Sequence, residues 1–98
     1  MWFVYILYSI SANKTYVGFT NNLDRRVREH NLTEASGFTL RYRPWILIRF
    51  EEFSDKTQAM KREKFLKSGQ GRELTKSFVK EFEVHAKVMR YPPEAEKD

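Results

Sequence analysis

The chain has no cysteine, few glycines and prolines (four and three in 98 residues), and no long apolar run. Without cysteine there are no disulfides and no thiolate metal sites, which fits a reducing compartment. The longest apolar stretch, Trp2 to Ile10, is interrupted by Tyr5 and Tyr8. It lacks the basic start and small-residue cleavage site of a signal peptide and is far too short to span a bilayer. No internal repeat or low-complexity segment stands out, and the expected location is the cytoplasm.

The residues that are present describe an ordinary small domain. Hydrophobic residues make up 41% and charged residues 32%, so one core forms and there is no room for a second. A single domain over residues 1–90 is expected, with a flexible C-terminal tail at 91–98. The net charge of +5 admits a polyanionic partner without requiring one.

Periodicity predicts the elements. Trp2 to Ile10 is β-branched and aromatic, and reads as a strand buried on both faces. A turn at Ser11 to Lys14 returns the chain along Thr15 to Phe19. With an even turn, facing pairs sum to 25, so Leu7 faces Gly18 and Ser9 faces Tyr16. Tyr5, Leu7, Tyr16 and Gly18 then share one face, and Gly18 leaves a gap beside both phenols.

A helix starts near Asn22, capped by Asn21 or Asn22, and ends at Asn31. Arg26 and His30 are one turn apart on it, beside the stripe of Leu23 and Val27. Leu32 to Pro44 reads as irregular, broken at Ser36-Gly37, and Trp45 to Phe50 as a third strand. Ser54 or Asp55 caps the next helix, which stops at Gly69; Glu63 falls on its inward stripe with Ala59, Met60 and Leu66. Gly71 precedes a last helix, about Arg72 to Met89, on which Leu74, Phe78, Phe82 and Met89 keep helical spacing until Tyr91-Pro92-Pro93 stops it. The expected class is α+β: a three-stranded antiparallel sheet flanked by three or more helices.

Phe3-Val4-Tyr5, Tyr16-Val17-Gly18, Arg26 eight residues after that glycine, His30, and Glu63 on the helix after the third strand form an ordered set. This set resembles the GIY-YIG nuclease superfamily. Arg43-Pro44-Trp45, Arg62-Glu63-Lys64 and Leu66-Lys67-Ser68-Gly69 are similar to its small stand-alone members. The resemblance covers about residues 2 to 80. Two features depart from it: Phe3 replaces the first glycine, and no asparagine follows Asn31 to approach the phosphate.

The resemblance implies a metal-dependent endonuclease that cuts DNA, with RNA not excluded, and a role in DNA repair or recombination. Tyr5, Tyr16, Arg26, His30 and Glu63 would be the catalytic set. Arg26 suits the phosphoryl charge because guanidinium is always charged and grips phosphate through several donors. Glu63 would be the single protein ligand of one Mg²⁺ or Mn²⁺. A phenol, Tyr5 or Tyr16, would deprotonate water, and needs nearby positive charge because its ordinary pKa is about 10. His30 could hold that phenol or take the proton itself. Lys14, Arg41, Tyr42, Arg43 and Lys67 suit a surface that tracks a nucleic-acid backbone with little sequence preference. A nucleic-acid-binding module without cleavage, and a protein-interaction domain whose charge is incidental, are the competing readings.

Overall fold

The computed structural model describes residues 1–33 and 37–89. The expected tail at 91–98, the stop at Tyr91-Pro92-Pro93 and Ser36 of the Ser36-Gly37 break lie outside them, as does the Met89 side chain. The elements are β1 (Trp2–Ser9), β2 (Lys14–Thr20), α1 (Leu23–Arg28), a π-helical turn (Glu29–Thr33), α2 (Phe38–Arg41), β3 (Ile46–Phe53), α3 (Lys56–Leu66) and α4 (Gly69–Met89). The three strands form one antiparallel sheet in the order β2-β1-β3. The fold is α+β, as the residue pattern predicts. Among the described residues no helix is long and apolar enough to cross a membrane.

In place of the single core expected, the central strand separates two buried clusters within the one domain. Val4, Ile6 and Val17 point to one face and pack with Ala59 and Leu66 of α3, and with Leu74 and Phe78 of α4. Tyr5 and Leu7 point to the other face, with Trp45, and there Tyr16, Leu23, Val27, Tyr42 and Leu47 close over them. Alternation along β1 therefore buries both sides of the strand, and Val4 to Ser9 are all buried.

The β1–β2 register differs from the expected one by two residues. Tyr5 pairs with Gly18 and Leu7 with Tyr16, so facing pairs sum to 23. The turn lies one residue earlier than expected, over Ile10 to Asn13. Asn13 takes the left-handed conformation that suits asparagine (φ 53°), and Ser9 Oγ accepts from Ala12 N at 3.3 Å. A two-residue slip leaves every side chain on its expected face.

The helices also differ from expectation at their ends. Asn22 caps α1, accepting from Arg25 N at 3.1 Å, but the helix does not stop at Asn31. It widens into the π turn, and the Asn31 side chain instead clamps the backbone of Trp45, donating to its carbonyl at 3.0 Å and accepting from its N–H at 2.7 Å. The stretch expected to be irregular contains α2, which ends against Trp45: the buried indole N–H donates to the Thr39 carbonyl at 2.7 Å.

Asp55 caps α3 by accepting from Gln58 N at 2.8 Å. Met60, placed on the inward stripe by helical arithmetic, is 46% exposed, because Ala59 and Leu66 alone define the buried line. Gly71 does not separate the helices; it lies inside α4. A Cβ there would collide with the Phe65 carbonyl and the Leu66 backbone, so glycine lets α4 start hard against the end of α3.

Candidate active site

The site grows from the face of the hairpin that carries the two tyrosines. Tyr5 is buried, and its hydroxyl shares a 2.8 Å hydrogen bond with His30 Nε2. His30 is itself fully buried, held by the π turn. Its ring lies 4.7 Å from that of Tyr16 and 5.7 Å from that of Tyr5, so the imidazole is packed by both phenol rings. A π-helical turn inserts one extra residue per turn and is frequent where a side chain must be aimed. Gly18 stands between the tyrosines: a Cβ there would lie 2.5 Å from the Tyr5 hydroxyl and 3.1 Å from the Tyr16 ring.

Tyr16 differs from Tyr5 in access. It is half-buried on the edge strand and lines a groove of about 810 Å³ that runs over the β2 edge. Lys67, at the end of α3, also lines this groove, with its Nζ 6.0 Å from the centre of the Tyr16 ring. The same ammonium is 2.9 Å from Glu63 Oε2, four residues back along α3, where the carboxylate side chain is 19% exposed. Glu63 thus pairs with a lysine that also approaches the Tyr16 ring, while α3 itself packs on the Val4, Ile6 and Val17 face of the sheet and Tyr5 lies on the other.

Arg26 is half-buried on α1 and donates to Glu29 Oε1 at 2.9 Å. The remaining predicted residues fall into two groups. Lys14 and Arg41 are exposed and flank the Tyr42 ring at 5.7 and 5.9 Å, and Phe38 packs edge-on against that ring at 4.9 Å. Arg43, expected on the nucleic-acid surface, turns inward instead. Its Nε donates to the His30 carbonyl at 2.7 Å and Nη2 to the Glu29 carbonyl at 3.5 Å. Arg43 therefore holds the π turn, satisfying carbonyls that the widened turn exposes.

Sequence reasoning missed Phe38. It is 45% exposed, stacks on Trp45 at 5.8 Å and lies 6.4 Å from Tyr16, at the mouth of the groove. An aromatic so close to the Trp45 strand entry was the available signal, but only the unforeseen α2 aims it.

Among the described residues no group of three or more His, Asp or Glu side chains could hold a metal ion. Glu63 can supply one hard oxygen ligand from a half-buried, accessible position, provided that Lys67 gives up the carboxylate. That fits an ion completed by water and phosphate and does not fit an all-protein cage.

On the far face, Tyr8 donates to Asn13 Oδ1 at 2.9 Å and lies 3.2 Å from Glu83 Oε2 of α4. Burial first, and the neighbouring Glu83 carboxylate second, push the Tyr8 phenol above its ordinary range. It is a structural tie between hairpin and helix.

A hairpin with two phenols around a glycine, a buried histidine on the following helix and a lone carboxylate one element after the third strand is the arrangement of a GIY-YIG nuclease domain. The family model described as the GIY-YIG catalytic domain matches residues 1–76, and this chain belongs to that family. Among its relatives, a UPF0213 protein of Staphylococcus haemolyticus is 36% identical over 66 residues, 67% of this chain and 79% of that one. A UPF0213 protein of Natronomonas pharaonis is 39% identical over 66 residues, 67% of this chain and 76% of that one. A homologue of the structure-specific endonuclease subunit SLX1 from Giardia intestinalis is 47% identical over 56 residues, which is 54% of this chain but only 16% of that longer protein. The solution structure of a UPF0213 protein from Bacillus halodurans aligns with 79% of this chain and 84% of that one, at 29% identity and a TM-score of 0.47.

Proposed function

We propose that this protein is a metal-dependent endonuclease that hydrolyses phosphodiester bonds in DNA, with structure-dependent or weakly sequence-selective cutting of the kind that serves repair or recombination. Membership of a nuclease family supports the reaction class. The contact chain from the accessible Tyr16 through Lys67 to Glu63 carries the assignment of the site.

Tyr16 is the base. Only it, of the two phenols, lines the groove, and proton transfer needs hydrogen-bond reach to the attacking water. Tyr5 and His30 form the buried support on which Tyr16 rests. Arg26 offsets charge on the phosphoryl oxygens. Glu63 would hold the single Mg²⁺ or Mn²⁺, which when bound stabilises the leaving oxygen and developing charge.

The test is a titration of Mg²⁺ and Mn²⁺ against cleavage of duplex, nicked, branched and single-stranded DNA and of RNA. Cleavage is expected with either ion and not in EDTA. Arg26→Ala and Glu63→Gln are expected to lose activity by about 10²–10³, the scale of removing one transition-state charge contact. Wild-type rates in Glu63→Gln would refute the metal assignment. The ion pair between Lys67 and Glu63 also favours a second reading, a nucleic-acid-binding module in which the carboxylate stays paired and cutting is lost. Binding that persists in EDTA with no cleavage of any substrate selects that reading.

A further inference from the structure

The groove that Tyr16 opens onto continues well beyond the reacting groups. It passes over the β2 edge and along α4, lined by Arg72, Lys76 and Lys80. We propose that this groove is a track for one unpaired nucleic-acid strand, with phosphates against Arg72, Lys76 and Lys80 and a base toward Phe38. The proposal rests on the nuclease reading of the site, and it extends that site past residue 76, where the family match ends.

Three observations carry it. The cations recur every four residues, so on a helix they stand on one side at intervals of about 6 Å, a spacing comparable to that of successive phosphates on an extended strand. All three are exposed, and among the described residues Arg72 and Lys80 make no ion pair. Lys76 meets only Glu73, at 3.3 Å, with both side chains 75% exposed, a contact that solvent leaves weak. The nearby carboxylate of Glu83 is engaged by Tyr8 and bounds the track at its far end.

The second observation is the aromatic end. Phe38 is 45% exposed yet fixed by stacking on Trp45, which gives a rigid platform for a base beside Tyr16. The third is size. A groove of about 810 Å³ is on the scale of a short stretch of one strand. Cations on one wall and an aromatic at the mouth are the two components that single-strand binding combines.

The experiment measures binding of the full chain in EDTA to a fluorescein-labelled single-stranded oligonucleotide and to a blunt duplex, by anisotropy across a salt series. Lys76→Glu/Lys80→Glu is compared with wild type after its melting curve shows an intact fold. Wild type is expected to prefer the single strand. The double variant is expected to bind it at least tenfold more weakly, and the slope of log K against log salt should fall by about 0.7 for each phosphate that is no longer neutralised. Unchanged affinity and slope would overturn the proposal, as would wild-type binding of the blunt duplex as tightly as the single strand. The two readings separate cleanly. The expected binding result without cleavage in any metal keeps the track and rejects the nuclease, whereas cleavage with an unaltered KM in the double variant does the reverse.

Discussion

The two faces of the sheet are built from the same strand and do different work. On the α3–α4 side β1 contributes Val4 and Ile6, which meet Val17, Ala59 and Leu66 in a core whose buried centre is aliphatic, with Trp2, Phe19, Phe53 and Phe78 packed around it. On the α1 side the alternate residues are Tyr5 and Leu7, and the contacts there are specific: phenol to imidazole, indole to carbonyl, asparagine to backbone. The aliphatic side depends on volume and tolerates changes that conserve it. The aromatic side depends on directed hydrogen bonds and close approach, so small chemical changes there disturb geometry more than stability. The strand thus anchors the fold with one set of side chains and, on the proposed function, supports the chemistry with the other.

That contrast can be tested by damaging each side separately. The largest effect on stability belongs to Ile6→Ala. Removing a fully buried side chain of that size costs about 2–5 kcal/mol, read from denaturant unfolding, while cleavage per folded molecule should be preserved at low temperature. A large loss of activity in folded Ile6→Ala would erase the division of labour between the faces. Gly18→Ala should behave the opposite way. The new methyl meets the Tyr5 hydroxyl and Tyr16 ring where neither can easily yield, so stability falls by about 1–3 kcal/mol and activity falls out of proportion to it. A Gly18→Ala protein with full activity would show that the gap beside the phenols is mere packing.

The smallest effect is expected where β3 meets α3. Hydrogen bonding from Arg62, and then from Arg49, holds the Glu51 carboxyl below its usual range despite the burial that opposes them. Its contribution is fully present above the pKa of an unfolded carboxylate, and is lost as pH falls through the lower folded value. Glu51→Gln should therefore lower stability at pH 7 by no more than about 1 kcal/mol, since the pair is partly exposed. The difference should close as the medium becomes strongly acidic, with activity unaffected throughout. A gap that widened in acid would contradict the assigned direction.

Much of this arrangement is legible in the residues. β-Branched and aromatic content marks β1, Asp55 with Gln58 marks the start of α3, and parity alone puts both tyrosines and Gly18 on one face. Parity also explains why a wrong register did no harm, since a shift of two preserves the faces. What the residues hide is tertiary. The π turn exists because Arg43 and Trp45, far along the chain, supply partners to it. Gly71 looks like a breaker until the backbone of α3 is seen against it. Tyr5 and Tyr16 are indistinguishable as letters; burial separates them, because Tyr16 stands on an edge strand and Tyr5 on the central one.

That separation gives the most direct test. Single-turnover cleavage in Mn²⁺ should be measured for wild type, Tyr16→Phe and Tyr5→Phe, with melting temperatures taken on the same preparations. Loss of the base should slow Tyr16→Phe by about 10²–10⁴ with little change in stability, whereas Tyr5→Phe should lose stability along with a smaller part of its rate. A Tyr16→Phe protein that cuts as fast as wild type would contradict the account.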